Sequence, residues 1–335
     1  MGDVAITVPV IHELVNQYPD LWITFVSDEK YKPFFEDIPR FDFFAVDLHV
    51  QYKGIYGLFN LYRRLKNEKK FTAIADLHNV LRTRILSFFF RFSGLTIKRI
   101  DKGRKEKEAL TRKHNKILVQ LPATFQRYAD VFRRLGYPVK LYESLKRKKL
   151  PLNNTVKQLV GINNSVRVGI APFAKHKEKV YPVDEMEKVV AALSGKGYKQ
   201  FLFGVGIAEI NKLEYWEQKY PGTLNIAGEL PLDEELMLIS NLDLMVSMDS
   251  ANMHLASLYG VPVVSIWGAT HPFAGFYGFG QDPGNIVQAE LYCRPCSVFG
   301  NKECYRGDWA CMKMIPAQQV IDKIEEVVQK KHQQQ

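Results

Sequence analysis

Hydrophobic positions along this chain follow two alternating spacings. Short apolar runs at 21–26, 43–46 and 71–77 have the length of strands. Around them, residues 4–17, 55–69, 81–92 and 125–135 carry apolar positions three and four apart, which predicts amphipathic helices. Pro9 falls in the first turns of the opening helix, where a missing N–H is tolerated. The alternation lapses over 142–165, a stretch rich in Lys and Asn that includes Pro151, and this composition shift predicts a linker. It then restarts with strands at 167–171, 200–203, 224–226, 244–247 and 262–267, and helices at 183–193, 207–219, 233–240 and 251–259. A final helix at 316–330 has Val320, Ile324, Val327 and Val328 as its apolar positions, so it must pack on something. Strands alternating with helices predict parallel sheets covered on both faces. Two such runs in tandem predict an α/β chain of two doubly wound, Rossmann-like domains, 1–150 and 151–335, facing a cleft into which the carboxyl ends of the strands open. A doubly wound domain normally opens with a buried strand, but here a helix follows Met1-Gly2-Asp3 directly. Either the first domain lacks its first strand or Met1 is an internal methionine, and we expect the second.

Composition changes this picture in three places. At 335 residues and 46% hydrophobic, the chain can fill two cores. No apolar run is long enough to span a bilayer and no basic segment precedes an apolar one at the start, so the expected location is the cytoplasm. The net charge of +10 is uneven, because residues 98–149 hold 17 Lys/Arg against 5 Asp/Glu while the rest of the chain is slightly acidic. Such a region attracts an acidic lipid head group, a membrane surface or a nucleic acid, unless it is only a solvated face. The apolar stretch 87–92 has two readings, a helix touching a bilayer surface and a buried core helix, and its shortness favours the core. All four cysteines lie in one window, Cys293, Cys296, Cys304 and Cys311. The first pair has the spacing of a zinc knuckle and the second pair does not repeat it, so reduced thiols are expected ahead of a structural zinc or disulfides.

The candidate chemistry concentrates where the strand at 244–247 runs through Asp249 and Ser250 into the next helix. A helix start offers unpaired N–H groups and the positive end of the helix dipole, a ready anion site. Ser250 is the expected N-cap, and the small Ala251 leaves the approach open. This segment suits a diphosphate, although an ordinary strand–helix turn would read the same way. Asp3, next to the first helix, reads locally as a helix cap. Asp76-Leu77-His78-Asn79 ends a strand, and Lys175, Lys177 and Lys179 share a loop. No Asp-x-Asp metal motif stands near a strand end.

Several of these segments carry a resemblance. Gly2-Asp3-Val4-Ala5-Ile6-Thr7-Val8-Pro9 resembles the opening motif of glycosyltransferase family 9, the lipopolysaccharide heptosyltransferases. Lys179-Val180-Tyr181-Pro182 is similar to its Lys-x-Trp-Pro element, Ala227-Gly228-Glu229-Leu230 to a donor-site Gly-x-x motif, and Asp249-Ser250-Ala251-Asn252-Met253-His254 to its Asp-Ser-Gly-Pro-x-His segment. The cysteine cluster resembles one found late in a subset of members. The matches fall in order along nearly the whole chain. Ala251-Asn252 stands where Gly-Pro is usual, which affects how closely backbone approaches phosphate. Tyr181 replaces a Trp, and the strand expected before Gly2 is missing.

The resemblance implies the GT-B architecture, with acceptor bound by 1–150 and nucleotide-sugar by 151–335. It implies inverting transfer of a heptose or similar sugar, from ADP-heptose, onto a lipopolysaccharide core acceptor; the alternative is another GT-B nucleotide-sugar enzyme, a transferase for a different polysaccharide or an epimerase. Asp3 becomes the catalytic base. Lys179, Glu229, Asp249, Ser250, Ala251, Asn252 and His254 become donor-binding residues, with His254 read equally well as a packed core histidine. Acidic lipid A–core acceptors would be met by His78, Arg104, Lys105, Arg112 and Lys113. No metal cofactor is expected, nor a nucleic-acid partner, and contact with the inner face of the inner membrane is the expected peripheral association.

Overall fold

A computed structural model describes residues 1–48, 50–142, 149–161 and 165–333. It divides into two compact units. The first comprises Met1, Asp3–Arg104 and Pro122–Tyr142; the second takes Gly2, Lys105–Leu121 and the described residues from 149 onward. The predicted linker falls partly outside the described residues. Within it, Asn154–Val160 form a short helix, started by Asn153, whose side chain accepts from Val156 N–H at 2.9 Å. Two turns are too few for a period to register in the sequence, but one capping Asn suffices to begin them.

In chain order the first unit comprises α1 (Gly2–Ala5), α2 (Thr7–Gln17), β1 (Ile23–Ser27), a 3₁₀ segment (Glu29–Phe35), β2 (Phe41–Ala45), α3 (Gly54–Glu68), β3 (Ala73–Asp76), α4 (Leu81–Arg91) and β4 (Thr96–Arg99). α5 (Arg104–Thr111) starts at its boundary and α6 (Thr124–Arg133) returns to it. The single opening helix read from the sequence is thus two, α1 and α2, divided at Ile6. β1 pairs in parallel with β2, and β3 with β4, but no described strand joins the pairs, so this unit carries two two-stranded sheets. β4 escapes the sequence pattern because its Thr-Ile-Lys-Arg reads as part of the basic tract. One core gathers Val10 and Leu14 of α2 with Tyr128, Val131 and Phe132 of α6; another gathers Phe44, Leu61, Leu65 and Phe90.

The second unit continues with α7 (Asn154–Val160), β5 (Arg167–Ala171), α8 (Val183–Gly195), β6 (Lys199–Leu202), α9 (Ile207–Lys219), β7 (Thr223–Asn225), α10 (Leu232–Ser240), β8 (Leu244–Met248), α11 (Ala251–Leu258), β9 (Val263–Trp267), β10 (Ile286–Gln288), α12 (Ala310–Lys313) and α13 (Ala317–Gln333). Six strands form one parallel sheet in the order β10-β9-β8-β5-β6-β7. Every residue of β8 and β9 is buried, as expected of central strands covered on both faces, and both are nearly continuous apolar runs. The final helix settles on this core through Val320, Ile324, Val327 and Val328. The strand order reverses between β5 and β8, where Val168 lies opposite Leu244 and Ala171 opposite Ser247. No described helix is long and apolar enough to cross a membrane.

Tyr181 is fully buried just ahead of α8, and its hydroxyl donates to the carbonyl of Ile315 at 2.8 Å. Burial pushes its phenol upward, so it stays a neutral donor. Tyr181→Phe leaves that carbonyl without its partner and should lower the stability of this unit by about 1–3 kcal/mol, read from the urea midpoint at unchanged m-value.

Candidate functional site

The strand order of the second unit places the loops that leave β5 and β8 side by side, and both carry sequence-predicted residues. Beyond β5 the chain forms a 3₁₀ turn at Lys177–Lys179; beyond β8 it passes Asp249 and Ser250 into α11. The two loops meet in an ion pair, Lys179 Nζ to Asp249 Oδ2 at 2.8 Å, with 15% and 6% of the side chains exposed. A pair this shielded from water is held tightly in place, because separating it would strand a charge in a poorly solvated site. Lys175 and Lys177 stay on the surface, the latter above the ring of Trp309.

Ser250 occupies the N-cap position of α11 in extended backbone, as the sequence suggests, but its side chain does not cap the helix. Its hydroxyl pairs instead with that of Ser247, at 3.0 Å. This corrects the expected capping bond, and it leaves the first-turn amides of α11 without a side-chain acceptor, which favours an external anion there. Asn252 adds to this, since its buried Nδ2 has no hydrogen-bond partner. A residue that departs from the usual Pro therefore contributes a donor of its own. His254 is 8% exposed and lies one turn into α11. Glu229 is exposed in the turn after β7, two strands from β5 at the same end of the sheet.

Two supports of this site were not visible in the sequence. Gly300, at φ +73°, lies against the stem of Lys179, and a Cβ there would come within 2.4 Å of Lys179 Cγ. Only a bare backbone in a left-handed conformation lets the loop close over the lysine. Arg294, 3% exposed, donates to the carbonyls of Gly268 and Ala289 at 2.6 Å and of Thr270 at 3.1 Å, fastening the cysteine-bearing segment to the end of β9. All four cysteines are free thiols and line one pocket with Glu178, Arg294 and Trp309. Burial pushes the Cys311 thiol up to about 11, an inert protonated state. Among the described residues, no group of three or more His, Cys, Asp or Glu is arranged to hold a metal ion.

In the first unit, Asp3 sits inside the first turn of α1 with its side chain exposed, rather than ahead of the helix as a cap. Its charge reaches His78 and Lys102. His78 is placed by Asp76, whose Oδ1 accepts from the amides of His78 and Asn79 at 3.1 and 2.7 Å while its Oδ2 accepts from Thr83 at 3.0 Å. Burial, with the Lys102 and Arg82 charges, holds the imidazole below its ordinary value, partly offset by Asp3. Lys102, which sequence reasoning passed over, is likewise lowered by burial and by Arg104, against the opposing pull of Asp3. Asp3, His78, Lys102 and Arg104 thus form one electrostatic group.

The rest of the predicted acceptor set lies elsewhere. Lys105, Arg112 and Lys113 belong to Lys105–Leu121, which packs with the second unit and not with the first as expected. Lys113 covers the ring of Tyr305 at 5.2 Å, Lys107 that of Phe276 at 4.1 Å, and Lys116 donates to the carbonyl of Cys293 at 3.0 Å. Arg112 donates to the carbonyl of Asn115 and is otherwise exposed, as is Lys105. Aromatic rings and a loop carbonyl of the second unit engage Lys107, Lys113 and Lys116, a competition that counting charge in the sequence does not reveal.

The matching family model is Glycosyltransferase family 9 (heptosyltransferase), aligned over residues 58–305. Lipooligosaccharide heptosyltransferase 2 of Haemophilus influenzae is 24% identical over 287 residues, 81% of this chain and 82% of that protein. A family 9 glycosyltransferase structure from Veillonella parvula superposes with a TM-score of 0.74 at 19% identity, covering 98% of this chain and 94% of the other. The structure of E. coli heptosyltransferase WaaC with ADP gives 0.67 at 16% identity, covering 97% and 96%. These superpositions show the GT-B fold of paired Rossmann-like units.

Removing one partner of the Lys179–Asp249 pair should cost about 3–5 kcal/mol. Lys179→Met should therefore be far less stable than the double variant Lys179→Met/Asp249→Asn, a coupling readable from urea denaturation of the full cycle. Acidification acts through His271, which accepts from Phe273 N–H and is held by burial and by Arg294 down to about 4. Between the ordinary value and that one the unfolded chain binds the extra proton, so stability falls as pH drops through this window, by at most about 3 kcal/mol. Thermal melts from pH 7 to 4 should show the decline, and His271→Asn, which keeps an acceptor for Phe273, should flatten it.

Proposed function

Because the chain belongs to glycosyltransferase family 9 and is a glycosyltransferase, we propose that it moves a heptose from ADP-heptose onto an acidic lipopolysaccharide core acceptor, with inversion at the anomeric carbon. The observation that carries this reading is the Lys179–Asp249 pair beside the uncapped start of α11, at the point where the strand order reverses. Doubly wound sheets bind ligands at such points. A heptosyltransferase of the same fold has been solved with ADP, which supports a nucleoside diphosphate as the occupant here.

In this reading the acceptor hydroxyl attacks the anomeric carbon as the bond from that carbon to the diphosphate oxygen breaks. The hydroxyl proton passes to the Asp3 carboxylate. Negative charge then grows on the departing ADP. The Lys179 ammonium, the amides of Ala251 and Asn252 and the unpaired Asn252 amide meet it, groups already in place before the reaction. Asp249 repels phosphate, so its part is to hold Lys179 in position. His254 steadies the first turn of α11, and exposed Glu229 accepts from a ribose hydroxyl. Acidic groups on the acceptor are met by the electropositive set of His78, Lys102 and Arg104, while Lys105, Arg112 and Lys113 belong to the second unit and take no part in this set. Protein groups provide the positive charge in this scheme, and no step is assigned to a metal or to the thiols.

Purified protein supplied with ADP-heptose and a deep-core lipid A acceptor should release ADP and a glycosylated product. UDP- and GDP-sugars should give neither, and turnover with one of them in place of ADP-heptose would overturn the donor assignment. Asp3→Ala should lower kcat by about 10²–10⁴-fold while ADP affinity by calorimetry stays within twofold or so of the original. A variant that kept its rate would remove Asp3 from the role of base.

A further inference from the structure

The first unit carries an apolar surface that its own folding does not use. Only part of α4 faces the core: Phe90 is 3% exposed and Leu86 packs against the same cluster. On the opposite side Leu81, Phe88 and Phe92 are 74%, 54% and 77% exposed. The short apolar run read from sequence as a core helix is therefore buried on one side and bare on the other. The neighbouring α3 does the same, burying Leu58, Leu61 and Leu65 while exposing Ile55, Tyr56 and Phe59. The two exposed faces are continuous. Ring centroids step from Phe59 to Phe89 at 5.4 Å, from Phe89 to Phe88 at 6.3 Å and from Phe88 to Phe92 at 4.7 Å. Isolated exposed apolar residues are common, but a connected aromatic strip marks a surface that is covered by something.

Charge identifies what covers it. α4 carries Arg82, Arg84 and Arg91 and no acidic residue, and the one acidic residue of α3, Glu68, is paired with Arg64 at 2.8 Å. Exposed aromatic side chains on helices that also carry exposed arginines and whose other side is anchored in a folded unit match the interface of an anionic bilayer. There, rings enter the boundary between head groups and acyl chains while cations meet lipid phosphates. We propose that the outer face of α3 and α4 docks this protein on an anionic lipid membrane. The proposal does not rest on the donor or acceptor assigned above. It gives that assignment a geometry, because α4 starts at the turn that carries His78, where Asp76 accepts from the His78 amide at 3.1 Å and from Thr83 of α4 at 3.0 Å. A lipid-borne acceptor would thus arrive beside the group formed with Asp3.

The test is cosedimentation of the full chain with vesicles of phosphatidylethanolamine and phosphatidylglycerol, against vesicles of phosphatidylcholine alone. Binding to the anionic vesicles alone, weakening as salt rises, is expected. Phe88→Ser/Phe92→Ser should reduce the bound fraction by roughly tenfold with little change in melting temperature and none in ADP affinity, since both rings are more than half exposed. Arg84→Gln/Arg91→Gln should weaken binding and flatten its salt dependence. Three results would each overturn the proposal: no binding of the parent chain to anionic vesicles, variants that bind as well as the parent, or a parent dimer that the Phe88/Phe92 variant converts to monomer without vesicle binding. Loss of vesicle binding with full transfer to a soluble, delipidated acceptor separates this proposal from the heptosyl reading.

Discussion

Two strands far apart in the chain, β5 and β8, run side by side in the same direction, and the candidate site of the second unit depends on this contact. Parallel pairing carries the ends of both strands to one edge of the sheet, so the two loops leaving them must share space. Lys179 and Asp249, separated by 69 intervening residues of sequence, become a salt bridge at 2.8 Å because of it. The fully buried β8 and β9 make the placement rigid, since a slip in register would turn apolar side chains off the core. That rigidity acts through electrostatics. A lysine, a helix start without a side-chain cap and an unpaired amide at Asn252 stand together, a preorganised set of donors suited to the diphosphate proposed for it.

Support for this centre comes from a part of the chain with no regular structure. Arg294 ties the cysteine-bearing segment to three loop carbonyls, and Gly300 brings that segment over the stem of Lys179. The thiols line one pocket together with Arg294, and the raised Cys311 keeps its proton and serves as packing. Lys116 and Lys113 brace the same segment, on the Cys293 carbonyl and the Tyr305 ring. A basic tract that reads as a single attractive patch is thus divided. Its early members, Lys102 and Arg104, set the field around Asp3 and His78, and its later members hold a loop of the second unit in place.

The first unit is organised around Asp76. Its two oxygens gather two backbone amides and a threonine hydroxyl, which turns the chain sharply from β3 into α4 and presents His78 at the strand end. The same turn directs α4 so that Phe90 enters the core while Phe88 and Phe92 point to solvent. A two-stranded sheet offers α4 little surface to cover, and an outer apolar face remains.

Most elements of the fold, and the parallel, two-unit plan, were legible in the sequence, because fully buried strands and amphipathic helices have spacings that differ. Short or charged elements were not: β4 hides in a basic tract, α7 is two turns long, and β10 has three residues. Motif residues Asp3, Lys179, Asp249, Asn252 and His254 could be picked out one by one. Nothing local says that Lys179 pairs with Asp249, that Ser250 bonds to Ser247 and leaves the helix uncapped, or that Lys113 turns to Tyr305. Those outcomes are contests between partners distant in the chain, and a hydrogen bond or ion pair goes to whichever group the packed backbone brings within about 3 Å. The sequence by itself determined the periodicities, hence the kinds of element and the family they resemble. Tertiary structure alone decided which charges meet, which apolar face stays bare and which helix start is left without a side-chain cap, because each of these depends on distances that folding sets.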